Sequence, residues 1–178
     1  MAKSTPPPAD ATDWPDDVFK AMKARNITTV CTIPDGGLTK LLQMCEADAT
    51  MRVVTLSTEE EGIGYLAGAW LGGERGVLLM QSSGVGNCIN ALALPACARL
   101  PLLMVVTMRG DWAEFNPWQN PMSHATQPSL EAIGVTVVRA DTGPDVVAAV
   151  DQAAAMAFQA DQQVAVLIGQ RLLGRKVW

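Results

Sequence analysis

Histidine occurs once in this sequence, at His124, and the four cysteines (Cys31, Cys45, Cys88, Cys97) form no CxxC pair. Tetrahedral zinc needs four nitrogen or sulfur donors at short spacings, so a zinc site is not expected. The cysteines sit in apolar or helical contexts and read as reduced core thiols, which points to a cytoplasmic protein. Only Cys31 lies near a suspected site. Lysine and arginine form no cluster and the formal net charge is −5, which argues against a nucleic-acid partner. No apolar run reaches the roughly eighteen residues of a membrane-spanning helix. The opening "MAKSTPPPADATDWP" has no apolar core of a signal peptide, and residues 1–13 read as a disordered lead-in to one domain over 14–178.

Two nucleotide signatures are also missing. "GVGN" follows an apolar run, but the GxGxxG pattern fails at its last glycine (Gly84-Val85-Gly86-Asn87-Cys88-Ile89), and no lysine follows to make a P-loop. Gly84 and Gly86 therefore serve either a tight turn or the close approach of backbone to a ligand.

What is present is hydrophobicity in a regular rhythm. Nearly half of the 178 residues, 49%, are hydrophobic. That is rich for a small monomer and points to apolar surface covered by a partner chain. Short β-branched runs alternate with longer segments of helical spacing. Strands are expected over 28–33, 52–56, 76–81, 101–108, 135–140 and 164–169. Helices are expected over 38–47, from Glu59 through "GIGYLAGAWLGG", over 88–99, near 128–133 and over 144–159. Pro95 is expected to kink the helix over 88–99 or to mark its last turns. Continuous Val/Leu/Ile runs suit strands buried on both faces, and the β-then-α order demands right-handed parallel crossovers. The fold class is α/β: an open, doubly wound, three-layer α/β/α sandwich with a mainly parallel sheet of about six strands.

Such a fold places function in the turns at the carboxyl ends of its strands. Those turns read "PDGG", "STEEEG", "QSSGVGN" and the long stretch "RGDWAEFNPWQNPMSHATQP". The last is too long for a plain connection. The three consecutive glutamates of the second precede a helix of small, uncharged residues. At a helix start they complement the dipole, which accounts for Glu59 and Glu61. Glu60, at the edge of a desolvated interface, is the candidate for chemistry through a hydrogen bond to a ring nitrogen. Gln81, Ser83 and Asn87 can orient a ligand or merely shape a turn. Arg109, Gln119 and His124 can meet an anion or lie solvated in the loop. Trp112, Phe115 and Trp118 form either a lid or a docking patch.

"EEGIGYLAGAW" from Glu60, "TIPDGGLTKLL" and "LLMQSSGVGNCINAL" resemble, in register, the pyrimidine-binding domain of thiamine-diphosphate-dependent decarboxylases. "MRGDWAEFNPWQNPMSHATQPSLEAIGV" is similar to the sulfopyruvate and phosphonopyruvate decarboxylase branch. The resemblance covers about residues 14–170. It implies that Glu60 hydrogen-bonds N1′ of the aminopyrimidine ring and so activates the cofactor against a 2-oxo acid. It places Pro34, Asp35, Ser83, Gly84, Val85 and Asn87 at the cofactor and Gln81, Arg109, Gln119 and His124 at the substrate. Some relatives carry a catalytic aspartate one place beyond Asp35, where this chain has Gly36, and paired histidines that are missing here. The GDG…N motif that holds magnesium and the diphosphate in the family's second domain does not occur in the 178 residues. The resemblance thus implies an α subunit, with thiamine diphosphate and Mg2+ shared with a β subunit in a hetero-oligomer such as α2β2. Decarboxylation of 3-sulfopyruvate, reaction of another 2-oxo acid such as phosphonopyruvate, carboligation, and a non-catalytic binding domain of the same fold all remain open at this stage.

Overall fold

The computed structural model describes residues 13–174. The lead-in expected over 1–13 lies, apart from Asp13, outside the described residues. Six strands, β1 (Ile27–Thr32), β2 (Arg52–Thr55), β3 (Arg75–Gln81), β4 (Leu102–Thr107), β5 (Thr136–Ala140) and β6 (Gln163–Ile168), form one sheet in the order β2-β1-β3-β4-β6-β5. Every pairing is parallel.

The alternation of side chains along each strand divides the core into two halves. Val30, Val77, Leu79, Leu103, Val105, Val164 and Val166 face one way. They are covered by α1 (Trp14–Ala24), α2 (Thr39–Ala47) and α7 (Gly143–Ala160). Cys31, Leu78, Met80, Met104, Val106 and Leu167 face the other way. There α3 (Glu59–Leu71), α4 (Ser82–Cys88) and α6 (Asn120–Ala132) lie over them, while α5 (Ala93–Ala98) follows α4. Both faces are therefore dry, which is why the strands carry continuous apolar runs rather than alternation. The three-layer parallel architecture is the one expected from the sequence.

Four local expectations change. Residues 14–24 form a helix that the sequence reading did not assign. Pro15 opens it, and Trp14, Val18 and Met22 recur at four-residue spacing to pack on the core. "SSGVGN" is not a turn before a helix: α4 begins at Ser82, directly after β3. The helix expected over 88–99 is divided, with Pro95 in the first turn of α5, where no backbone donor is needed. The long stretch after β4 is irregular only to residue 116. A 3-10 turn (Pro117–Gln119) then leads into α6, which runs through Pro128. A last short helix, α8 (Gln170–Leu173), follows β6.

The four strands with the deepest burial are β1, β3, β4 and β6, and β1 and β3 meet closely at Gly76. A Cβ there would collide with the Leu66 side chain and sit 2.9 Å from the Thr29 carbonyl oxygen. Backbone cannot yield as a side chain does. Gly76→Ala is expected to lower unfolding stability by about 1–3 kcal/mol, seen as a lower urea midpoint at unchanged slope; an unchanged midpoint would show that β1 and β3 separate without cost.

Candidate active site

All strands run one way, so the turns after β1, β3 and β4 meet on one rim. After β1 the chain leaves through α2 on one face of the sheet, and after the neighbouring β3 through α4 on the other. This divergence opens a crevice at the carboxyl ends of β1 and β3, the usual ligand position in doubly wound sheets.

Asp35, in the turn after β1, spans the crevice. Its Oδ1 accepts from Gln81 Nε2 at 3.0 Å, and its Oδ2 accepts from Thr107 Oγ1 at 2.9 Å and from the Gly37 amide at 3.0 Å. Gln81 and Thr107 are the last residues of β3 and β4 and face each other in register. Ser83 Oγ donates to Gln81 Oε1 at 2.7 Å. One carboxylate thereby ties three strand ends together.

The three glutamates of α3 have three different environments. Glu59 is only 8% exposed; its Oε2 accepts from Asn87 Nδ2 at 2.8 Å. It presses on α4 at Gly84, where any Cβ would overlap its carboxylate. The sequence reading left Glu59 with nothing beyond the helix dipole, and the structure corrects this: it clamps α3 to α4. Nothing local in "TEEEG" distinguishes it, because its burial depends on a glycine 25 residues away. Glu61 turns back and accepts from the Ser57 amide at 2.8 Å, which ties the chain ahead of the N-cap Thr58 to the first turn of α3. Glu60 is exposed, and no hydrogen bond or ion pair among the described residues engages it. With its two neighbours held, the first turn of α3 has one orientation, and Glu60 projects from it.

The remaining candidates separate into those at the crevice and those away from it. Ser83 is half-buried and Gly84 and Val85 are buried in α4, beside Glu59 and Asn87. Pro34 precedes Asp35 in the turn after β1. Arg109 is 6% exposed and committed to Glu114 by two bonds of 2.6 Å each. Gln170 Nε2 adds a third donor to Glu114 at 2.8 Å, and Gln170 Oε1 accepts from the amides of Asp111 and Trp112. These residues occupy another place where helices diverge, between β4 and β6. Arg109 therefore offers no unpaired charge to an anion in this arrangement. Gln119 ends the 3-10 turn with its Oε1 buried and unpartnered. His124 lies exposed on α6. Phe115 lies under the Arg109 guanidinium and Trp112 under that of Arg171, whereas Trp118 is 82% exposed.

The thiols take no visible part. Burial pushes Cys31 and Cys88 up to about 12, which leaves them protonated and inert at neutral pH. No group of three or more His, Cys, Asp or Glu side chains among the described residues can hold a metal ion. No helix among them is long and apolar enough to cross a membrane.

A doubly wound parallel domain with a polar rim at its topological switch defines a ligand-binding α/β domain. Comparison with known proteins gives the family. Residues 14–133 match the model of the thiamine pyrophosphate enzyme, N-terminal TPP binding domain. Sulfopyruvate decarboxylase subunit alpha from Methanocaldococcus jannaschii is 32% identical over 151 residues, 84% of this chain and 89% of that one. The subunit of the same name from Methanothermobacter thermautotrophicus is 36% identical over 124 residues, 69% of this chain and 75% of that one. Phosphonopyruvate decarboxylase from Streptomyces viridochromogenes is 37% identical over 95 residues, 53% of this chain but 24% of that longer one. Among solved structures, a 2-oxoglutarate:ferredoxin oxidoreductase from Magnetococcus marinus shares the fold. Its TM-score is 0.73 at 14% identity, over 90% of this chain and 29% of that one. The chain belongs to the thiamine pyrophosphate enzyme family, as its N-terminal TPP-binding domain, in the branch that includes the sulfopyruvate and phosphonopyruvate decarboxylases.

The Arg109–Glu114 pair yields two measurable consequences. The Arg109 guanidinium holds the Glu114 carboxyl at about 2, below its ordinary 4.5. Because the folded value is lowered, the pair stabilises the fold fully above the ordinary value and loses its contribution as pH falls toward about 2. Glu114→Gln leaves Arg109 buried without its counter-charge and is expected to cost about 3–5 kcal/mol at neutral pH. Its unfolding free energy should also depend less on pH below about 4.5, measured by urea titrations across that range. Equal pH slopes in the two proteins would show that the pair does not carry acid sensitivity.

Proposed function

We propose that this chain is the α subunit of a split thiamine-diphosphate-dependent decarboxylase that converts 3-sulfopyruvate to sulfoacetaldehyde and carbon dioxide. The observation that carries the reading is similarity along 89% of the length of a sulfopyruvate decarboxylase α subunit. The local geometry is compatible with it. The polar residues at the start of α4, half-buried Ser83 and Asn87, which is bonded to Glu59, suit the aminopyrimidine half of the cofactor, with the exposed Glu60 on the adjoining first turn of α3. On this reading a β subunit holds Mg2+ and the diphosphate, in a hetero-oligomer such as α2β2, and no group of three or more metal-donor side chains gathers among the described residues.

When bound, thiamine diphosphate supplies the carbanion-stabilising centre and electron sink that decarboxylation requires. This chain's part is to prepare and orient that cofactor. Glu60, projecting from a fixed first turn, shares a proton with ring nitrogen N1′. Glu59 and Asn87 hold α3 against α4 so that the Glu60 carboxylate does not swing away. Pro34, Asp35 and Val85 shape the walls. His124, exposed on α6, is the loop group left to approach the substrate, since Gln81 and Arg109 are engaged within the chain and the Gln119 oxygen is buried.

The exposed face of α3 supplies the surface for the partner. Tyr65 and Leu71 are 39% and 76% exposed, and open space surrounds Gly64 and Gly68. Small residues there allow a second backbone to approach closely, which excludes water from Glu60. A cytoplasmic location is consistent with the reduced thiols. The similarity to phosphonopyruvate decarboxylase favours phosphonopyruvate as the second substrate to examine.

The chain alone is expected to be inactive, and active when assembled with its partner, thiamine diphosphate and Mg2+. Glu60→Gln in the assembled complex is expected to lower turnover by about 10²–10⁴-fold, with a smaller loss for Glu59→Gln. Wild-type turnover by the Glu60→Gln complex would overturn the assignment. Release of carbon dioxide across sulfonated, phosphonated and plain 2-oxo acids identifies the substrate, and no reaction with any of them would favour a non-catalytic binding domain.

A further inference from the structure

Next to the Arg109–Glu114 pair, toward the β5 edge of the sheet, lies a cavity of about 270 Å³ lined by Asp111, Trp112, Arg139, Asp141 and Arg171. Three strand ends supply it. The loop after β4 brings Asp111 and Trp112, the end of β5 brings Arg139 and Asp141, and α8 after β6 brings Arg171. Doubly wound sheets bind ligands at such carboxyl ends. The volume falls just below the roughly 300 Å³ at which ligand pockets of ordinary size begin, so an occupant is small.

Most of its charges are held in place. Arg139 stands between two carboxylates, donating from Nη2 to Asp111 and from Nε to both oxygens of Asp141, at 3.1 and 3.3 Å. Asp111 also receives the Gln170 amide on Oδ1 at 3.2 Å. Asp141 is seated over Gly169, where a Cβ would lie 2.0 Å from its Oδ1. Arg171 differs. Its guanidinium lies over the Trp112 ring, 5.9 Å from the centroid, and no carboxylate among the described residues pairs with an arginine at this position. Two cations and two anions therefore line the cavity without forming two pairs: Arg139 serves both aspartates, and Arg171 serves neither.

That imbalance selects a charge type. A simple anion drawn to Arg171 meets the surplus carboxylate, and a simple cation drawn to the aspartates meets Arg171. A molecule that carries both charges satisfies both ends. We propose that this cavity binds a small zwitterion, whose oxyanion, a carboxylate or a sulfonate, is received by Arg171 and whose ammonium group donates to Asp141. Asp141 takes the ammonium because its side chain is 57% exposed, against 15% for Asp111. The site stands whatever the reaction at β1 and β3.

The test follows the Trp112 indole N–H by nuclear magnetic resonance in the isotope-labelled full chain, the signal being identified by its loss in Trp112→Phe. β-Alanine and taurine share an ammonium group and differ in the oxyanion, while propionate and ethylammonium each keep a single charge. β-Alanine, taurine or both are expected to shift the signal saturably. Propionate and ethylammonium should bind about tenfold or more weakly, the scale of one charge-assisted hydrogen bond. Arg171→Gln and Asp141→Asn, both at exposed positions, should each weaken the zwitterion by a similar factor, and Asp141→Asn should not weaken propionate. A response to one zwitterion alone supports the site and identifies its oxyanion. The proposal is overturned if neither zwitterion gives a saturable shift, if propionate binds as tightly as β-alanine, or if Arg171→Gln binds the zwitterion undiminished. Should Arg171→Gln not fold, Arg171→Lys keeps the charge but loses the planar fork and must still weaken binding; unchanged affinity overturns the role of Arg171.

Discussion

Because every strand of the sheet is parallel, each connection must return across a face, and the face it uses is set by the direction in which it moves. Connections moving toward β2 or back from β5 cross on the side of α1, α2 and α7. Those moving from β2 toward β5 cross on the side of α3, α4 and α6. Right-handedness of the crossovers requires this division. Neighbouring strands whose helices diverge do not close over their own carboxyl ends, and two such places in the order β2-β1-β3-β4-β6-β5 bear on the rim. One lies between β1 and β3, spanned by Asp35 and Gln81. The other, between β4 and β6, is filled by Arg109, Glu114 and Gln170. The two crevices have opposite fates. The second is closed by an ion pair whose members are 8% and 3% exposed, and it serves to anchor the loop. The first keeps a half-buried polar lining of Asp35, Gln81 and Ser83.

The sheet was legible in the sequence because its strands are buried on both sides and carry little else than Val, Leu and Ile. The helices were less so, for physical reasons that differ from case to case. In α1 the apolar residues are only one face of a charged segment that follows a proline-rich lead-in. In α4, Ser82, Ser83, Gly84 and Gly86 are poor helix formers, and the helix exists because Val85 and Cys88 are buried against the sheet. Tertiary packing overrides propensity there. The stretch after β4 reads as too long for a plain connection, with a short helix only near 128–133, yet Pro117 and Pro121 stand at the starts of helical turns and Pro128 is accommodated within α6.

The site was legible to the level of its turns and less so in its pairings. Spacing to "GIGYLAGAW" singles out Glu60 among three identical neighbours, and the exposure of Glu60 beside two committed carboxylates accords with that choice. The role of Glu59 was hidden because it resides in a contact with Gly84 and Asn87. Arg109 illustrates the converse. A loop arginine near a rim reads as an anion receptor until its partner is known, and Glu114, five residues on, is legible only as one more acidic residue in the loop. Pair formation across a folded turn is a property of geometry that residue type does not carry.

The chemistry of the open crevice bears on how the cofactor is divided between subunits. Asp35 and Glu59 are spent on holding the rim together, Glu60 projects as a further acceptor, and Ser83 donates its hydroxyl hydrogen to Gln81. Among the described residues the nearest loop arginine, Arg109, is bound to Glu114. A rim of acceptors attracts a nitrogen heterocycle that bears N–H groups and repels a diphosphate, which would meet carboxylates without an intervening cation. An α/β domain that bound the whole cofactor would need donors or a metal at the same edge. The electrostatics of this edge thus favour one end of thiamine diphosphate and disfavour the other. That asymmetry accords with the proposed division of the cofactor between two chains, and the uncharged, glycine-bearing face of α3 beside Glu60 is where a second chain would have to come close.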